Sequence, residues 1–150
     1  ELSGIVVVHG PGSYAGLRVG IATAEGLALA SGVPVAGVGT LEAAAAAAGL
    51  IDGTVIHPAG RGEFAALSFA NGAATGPARL IARHEVQGPG FAGEGAGELG
   101  GHEVPTERRC RAALALGLAV LRSAPSSAVE AFYLREPHIT RPRRTPLLAS

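Results

Sequence analysis

Lysine, methionine and tryptophan are missing from the sequence, and aspartate and cysteine occur once each, as Asp52 and Cys110. Without lysine there is no amine to clamp a phosphate or form a Schiff base. With a single aspartate, a magnesium site held by aspartates is badly handicapped. One cysteine excludes an internal disulfide framework and a cysteine metal cluster, and fits a reducing cytoplasm. Charge is balanced, with 12 Lys+Arg against 12 Asp+Glu, so no basic excess recruits nucleic acid by bulk electrostatics. No apolar run is long enough to span a membrane, and no stretch reads as a signal peptide. The missing methionine, with Glu1 almost directly before a strand-like run, is what a piece of a longer protein would show. The 150 residues suit one ordinary domain or two small lobes, and a chain of this length buries about 70% of its unfolded surface.

What is present alternates strand and helix signals. Ile5 to Val8 is short and β-branched, a buried-type strand. Gly10, Pro11 and Gly12 make a turn, and Ser13 is placed to cap a helix from Tyr14 to Ala30, with Gly32 as its left-handed stop. A strand over Val33 to Val38 follows, then an Ala-rich helix over Leu41 to Ala48 with Thr40 as its cap. Strand–helix–strand–helix predicts a parallel, right-handed α/β unit. Beyond Gly49 to Gly53 the texture changes. Thr54 to His57, Glu63 to Ala70 and Ala78 to Arg83 predict a meander of hairpins, and "QGPGFAGEGAGELGG" a short strand between turns. A helix from Thr106 to about Ser123 is expected to bury Leu114, Leu118 and Leu121, and Val129 to Leu134 to form a closing strand. The expected division is residues 1–52 as one lobe and 53–150 as the other.

"HGPGSYAGLRVG" after an apolar strand is how phosphate-binding loops are built. Gly10, Gly12 and Gly16 give a variant of the dinucleotide fingerprint at a positive helix end. The supporting residues are missing. The next strand ends in Gly37, Val38 and Gly39 without a ribose-binding acid, there is no Walker lysine, and Pro11 removes one N–H donor. The helix suggests another use. Gly12, Gly16, Gly20, Ala24 and Ala28 recur at every fourth position, and glycine inside a helix costs about 1 kcal/mol against alanine. Such a row is repaid by close approach of a neighbouring helix. Arg18 and Glu25 are the only charges from Tyr14 to Ala30, so this helix lacks a broad polar face and has an apolar side left to cover.

"GPGSYAGLRVGIATAEGLALASGVPVAGVGTLEA" resembles the signature stretch of the TsaB (YeaZ) family. "GRGEFAALSF", "FAGEGA" and "AVEAFYLREPHIT" resemble that family's later motifs in the same order. The resemblance implies an α/β, actin-like fold of two lobes (the ASKHA, ribonuclease H-like class). The family's opening strands and first helix have no counterpart, so the first lobe is expected to be incomplete. It also implies a cytoplasmic, non-catalytic partner in making threonylcarbamoyladenosine on tRNA. That partner supports a TsaD-type catalytic subunit together with a TsaE-type ATPase, and meets tRNA only indirectly and no membrane. ATP, Mg and Fe or Zn would then belong to the partner subunits, and this chain would bind no cofactor alone. The family loop maps to Gly10, Pro11, Gly12, Ser13, Tyr14 and Gly16. The helix used for pairing and for a possible homodimer maps to Leu17, Gly20, Ile21, Ala24 and Ala28. Of the second-lobe motif Gly62 and Glu63 remain, while Pro58 and Gly60 stand where the family has Asp and Arg, and Glu94 where it has Asp. The alternatives are a Rossmann-like or kinase-like nucleotide-binding enzyme domain and a glycoprotease-type peptidase.

Other candidates carry less. His9, His57, His84, His102 and His138 show no metal-ligand spacing, and a satisfied loop histidine is expected at His9. Ser13 is not in a nucleophile-elbow sequence, and no base pairs with Cys110, which reads as structural. Arg141, Arg143 and Arg144 form a short basic tail that reads as a solvated end.

Overall fold

The computed structural model describes residues 2–123 and 128–135. Ile5–Gly10 (β1) and Val35–Gly39 (β2) pair in parallel, with Ile5 opposite Val35 and Val8 opposite Val38. The crossover between them is Tyr14–Ser31 (α1). Ser13 caps it, its Oγ accepting the Gly16 N–H at 3.4 Å, and Gly32 stops it at φ 65°, where a Cβ would be strained. Leu17, Ile21, Ala24 and Ala28 are the buried stripe of α1, laid on its own two strands.

β2 runs straight into Thr40–Ala48 (α2) with no linking residue. The cap position therefore falls on Gly39, and Thr40 is already helical, not the cap its sequence position suggests. The Glu42 carboxylate folds over Gly39, in the space a Cβ would take. α2 lies between both sheets and a third helix, which is why Leu41, Ala43, Ala44, Ala45 and Ala47 are all buried. Alanine suits that place, because larger side chains would hold the layers apart.

The second sheet has six strands: Gly53–Gly60 (β3), Glu63–Ala70 (β4), Ala73–Ala74 (β5), Arg79–Ala82 (β6), Phe91–Gly93 (β7) and His102–Glu103 (β8). Their order is β5-β4-β3-β7-β8, with β6 also on β4. The hairpin pairings β3–β4, β4–β5 and β4–β6 are antiparallel. The meander stops there, since β7 joins β3 in parallel and β8 joins β7 in parallel. Alternation along β3 and β4 divides two cores. Val55, Ala65 and Leu67 face α2, and Ile56, Phe64 and Ala66 face Ile81, Val86 and Ala96.

Thr106–Ser123 (α3) packs on α2, β1 and β2. Its buried positions are Ala113 and Gly117, not the expected leucine stripe. Leu114 and Leu118 are 53% and 39% exposed, and Leu121 is half-buried. The reason is proximity. A Cβ on Gly117 would sit inside Val6, so only small residues fit at this crossing and the leucines are turned aside. Val129 to Leu134 is not a strand either. Residues 128–135 are irregular and follow the rim of the first sheet, with the Phe132 N–H donating to the His9 carbonyl at 2.8 Å. His138, Arg141, Arg143 and Arg144 lie outside the described residues.

Candidate functional site

A cavity of about 490 Å³ opens where the first turn meets the β3–β4 hairpin. Pro11, Gly12, Ser13 and Tyr14 form one wall. His57, Pro58, Ala59 and Gly60 form another, with Glu94 beyond the end of β7 and Tyr133, Leu134 and Arg135 closing the side. The structure thus gathers most of the loop named from sequence. Gly10 sits just behind it at φ 123°, with the Phe132 carbonyl where a Cβ would go. Gly16 is inside α1 and contributes its capped N–H. Gly62 and Glu63 line an adjoining open groove of about 480 Å³, which shares Pro58, Gly60 and Glu94 with the cavity. Gly60 and Gly62 have φ of 78° and 74°, the turn conformations that the hairpin requires.

The chemistry of the walls is a set of matched charges. Arg109, from α3, donates through Nη1 to Glu94 Oε2 at 2.5 Å and through Nη2 to Thr106 Oγ1 at 2.8 Å. His57 Nδ1 lies 3.3 Å from the same Glu94 oxygen, without the alignment of a hydrogen bond. Burial pushes the His57 pKa below its ordinary value near 6.5. Arg109 adds to that, and Glu94 opposes it. Arg135 ion-pairs with Glu63. Tyr14 and Tyr133 stack with centroids 4.9 Å apart at 36°, and the Tyr14 hydroxyl accepts from Arg18 at 2.6 Å, which raises the Arg18 pKa. Among the described residues, no three His, Cys, Asp or Glu side chains group in a way that would hold a metal ion.

Several sequence expectations change here. The His57–Glu94–Arg109 cluster is not visible in the sequence, because its members come from three distant segments. The one hint was Glu94 in the "FAGEGA" turn. His9 is in β1, not in a loop, and its Nδ1 is buried without a partner. Cys110 is exposed, not structural. The row of small residues on α1 does not lie on one free face. Each step of four residues turns the helix by about 40°, so the row winds around it. Gly20 has no atom within 4 Å of where its Cβ would be, whereas Ala24 and Ala28 are buried, as are the flanking Leu17 and Ile21. The open side of α1 instead carries Val19, Leu27 and Leu29, at 66%, 54% and 87% exposure, with Gly20 beside Leu27.

The comparisons with known proteins agree with this architecture. A family model described as TsaD: tRNA N6-adenosine threonylcarbamoyltransferase matches residues 1–84. The tRNA threonylcarbamoyladenosine biosynthesis protein TsaB of Bacillus subtilis (strain 168) is 43% identical over 65 residues, covering 42% of this chain and 28% of that protein. An uncharacterized protein of Mycobacterium leprae (strain TN) is 54% identical over 43 residues, 29% of this chain and 12% of its own length. The chain thus spans less than a third of either curated relative. YeaZ from Pseudomonas aeruginosa superposes with a TM-score of 0.64 at 21% identity, over 88% of this chain and 75% of that one. A crystal structure of an uncharacterized protein with similarity to peptidase YEAZ from the same organism gives 0.63 at 22%, over 89% and 74%. The fold is therefore the actin-like α/β fold of YeaZ, and the chain belongs to the TsaD: tRNA N6-adenosine threonylcarbamoyltransferase family, whose model matches more than half of it.

Proposed function

We propose that this chain serves tRNA threonylcarbamoyladenosine synthesis as a non-catalytic subunit, docking through α1 onto a TsaD-type catalytic partner or onto a second copy of itself. A TsaE-type ATPase would complete the assembly, with ATP, Mg and Fe or Zn held by the partners and tRNA met through them. The observation that carries the reading is the open side of α1. Val19, Leu27 and Leu29 project from it among Ala15, Ala22, Thr23, Gly26 and Ala30, and none of these residues is charged. A face of that kind on an exposed helix favours a protein neighbour over water. The cavity supports the same reading. Glu94 of the cavity and Glu63 of the adjoining groove are already matched, by Arg109 and Arg135, so neither carboxylate is free to organise a magnesium–phosphate complex.

The test is capture of a TsaD-type protein, with light scattering, on wild type and Gly20→Leu. The new side chain enters open space, so the fold is expected to survive while the docking face is blocked. Loss of capture or of self-association supports the reading. Unchanged association in a folded variant refutes it and returns the loop to nucleotide binding.

A further inference from the structure

The irregular segment 128–135 crosses the molecule from the first sheet to the second. The Val129 N–H donates to Glu25 Oε1 of α1 at 3.3 Å, and the Val129 side chain lies against Gly37 of β2. Phe132 then bonds to His9 at the end of β1, and its carbonyl occupies the space left by Gly10. Tyr133 stacks on Tyr14, Leu134 packs against the core under α2, and Arg135 ends the crossing on Glu63 of β4. The last three residues are one side of the 490 Å³ cavity.

We propose that residues 128–135 form a releasable strap, latched by Arg135 on Glu63, which walls one side of the cavity beside the Gly10–Tyr14 turn and opens without unfolding either core. Its anchors are few, and none of its residues is fully buried; Phe132 is 41% exposed. A segment with so little buried apolar area opens locally at a small fraction of the global unfolding free energy. β3 beneath it is different, with Val55 and Ile56 wholly buried inside two cores. Opening uncovers the buried Tyr133 hydroxyl and widens the cavity on the side that Tyr133, Leu134 and Arg135 now wall off. The inference does not depend on what α1 binds.

The molecule carries its own reporters. It has two tyrosines and no tryptophan, so its fluorescence comes from the Tyr14–Tyr133 pair that the strap brings together. Amide hydrogen exchange and acrylamide quenching are measured on wild type, Arg135→Gln and Glu63→Gln. In wild type the Phe132 amide is expected to exchange well before that of Val55. In either variant its exchange should speed up by about two- to fivefold, the range an exposed ion pair supplies, with Val55 unchanged and quenching steeper. The two variants approach the latch from opposite sides, so one suffices if the other does not fold. Equal protection of Phe132 and Val55 in wild type would show that the segment belongs to the cooperative core and overturn the proposal. So would a folded variant in which Phe132 exchange is unaltered, or in which both amides change together.

Discussion

Beyond the first turn, the long helices carry glycine at Gly20, Gly26 and Gly117, and alanine should have opposite effects at the first two places and the third. Replacing a helix-interior glycine by alanine gains about 1 kcal/mol of propensity wherever the new methyl is accommodated. On α1 nothing lies within 4 Å of the Cβ position at Gly20 or Gly26, so both gains are expected nearly in full. On α3 the methyl at Gly117 meets both Val6 methyls and, at 2.9 Å, the Val6 Cβ. Val6 is stiff about χ1 and its strand is held by the ladder to β2, so it cannot turn away. Overpacking of this kind costs about 1–3 kcal/mol, which cancels or exceeds the propensity gain. Thermal unfolding followed by far-UV circular dichroism reads the difference. Gly20→Ala and Gly26→Ala should each raise Tm by about 2–4 °C for a chain of this size, and Gly117→Ala should leave it unchanged or lower it by up to twice that. A Gly117→Ala protein as stabilised as the α1 variants would refute the close crossing of α3 over β1.

Titration of His57 makes stability depend on pH in a stated direction. The folded pKa lies below 6.5, so between that value and 6.5 the unfolded chain binds more protons and stability falls as pH falls through this window. Urea unfolding at pH 7.5 and 5 should show the loss, and His57→Gln should remove part of it. Arg109→Ala takes a charged donor from Glu94, whose side chain is 42% exposed and so is partly rescued by water. A cost at the low end of about 1–3 kcal/mol is expected, together with a rise in the His57 pKa on NMR titration, because a lowering charge is gone. A His57 pKa that did not move would mean that the three side chains are not coupled.

Much of the architecture is legible locally. The β-branched run of β1, the Ser13 cap, the left-handed Gly32 and the 18 residues of α1 between them follow from neighbours in sequence, because caps and stops act over a single turn. β4 is likewise placed at its observed ends, Glu63–Ala70. The family loop, being one contiguous stretch, is readable in the same way.

What the sequence could not decide depends on contacts between distant segments. The two-residue β8 is too short for any period and exists because β7, itself laid in parallel on β3, offers it an edge. The leucines of α3 outrank Ala113 and Gly117 in hydrophobicity, yet the small residues are buried, because the closeness of Val6 selects for volume and not for apolarity. Segment 128–135 has the composition of a strand but meets β1 at its end, through a single backbone bond and not along a ladder. His57, Glu94 and Arg109 likewise become a cluster only when β3, the turn after β7 and α3 converge. Local sequence sets backbone conformation within a turn or two, whereas which face is buried and which charges meet are settled by steric fit between elements that the chain order keeps far apart.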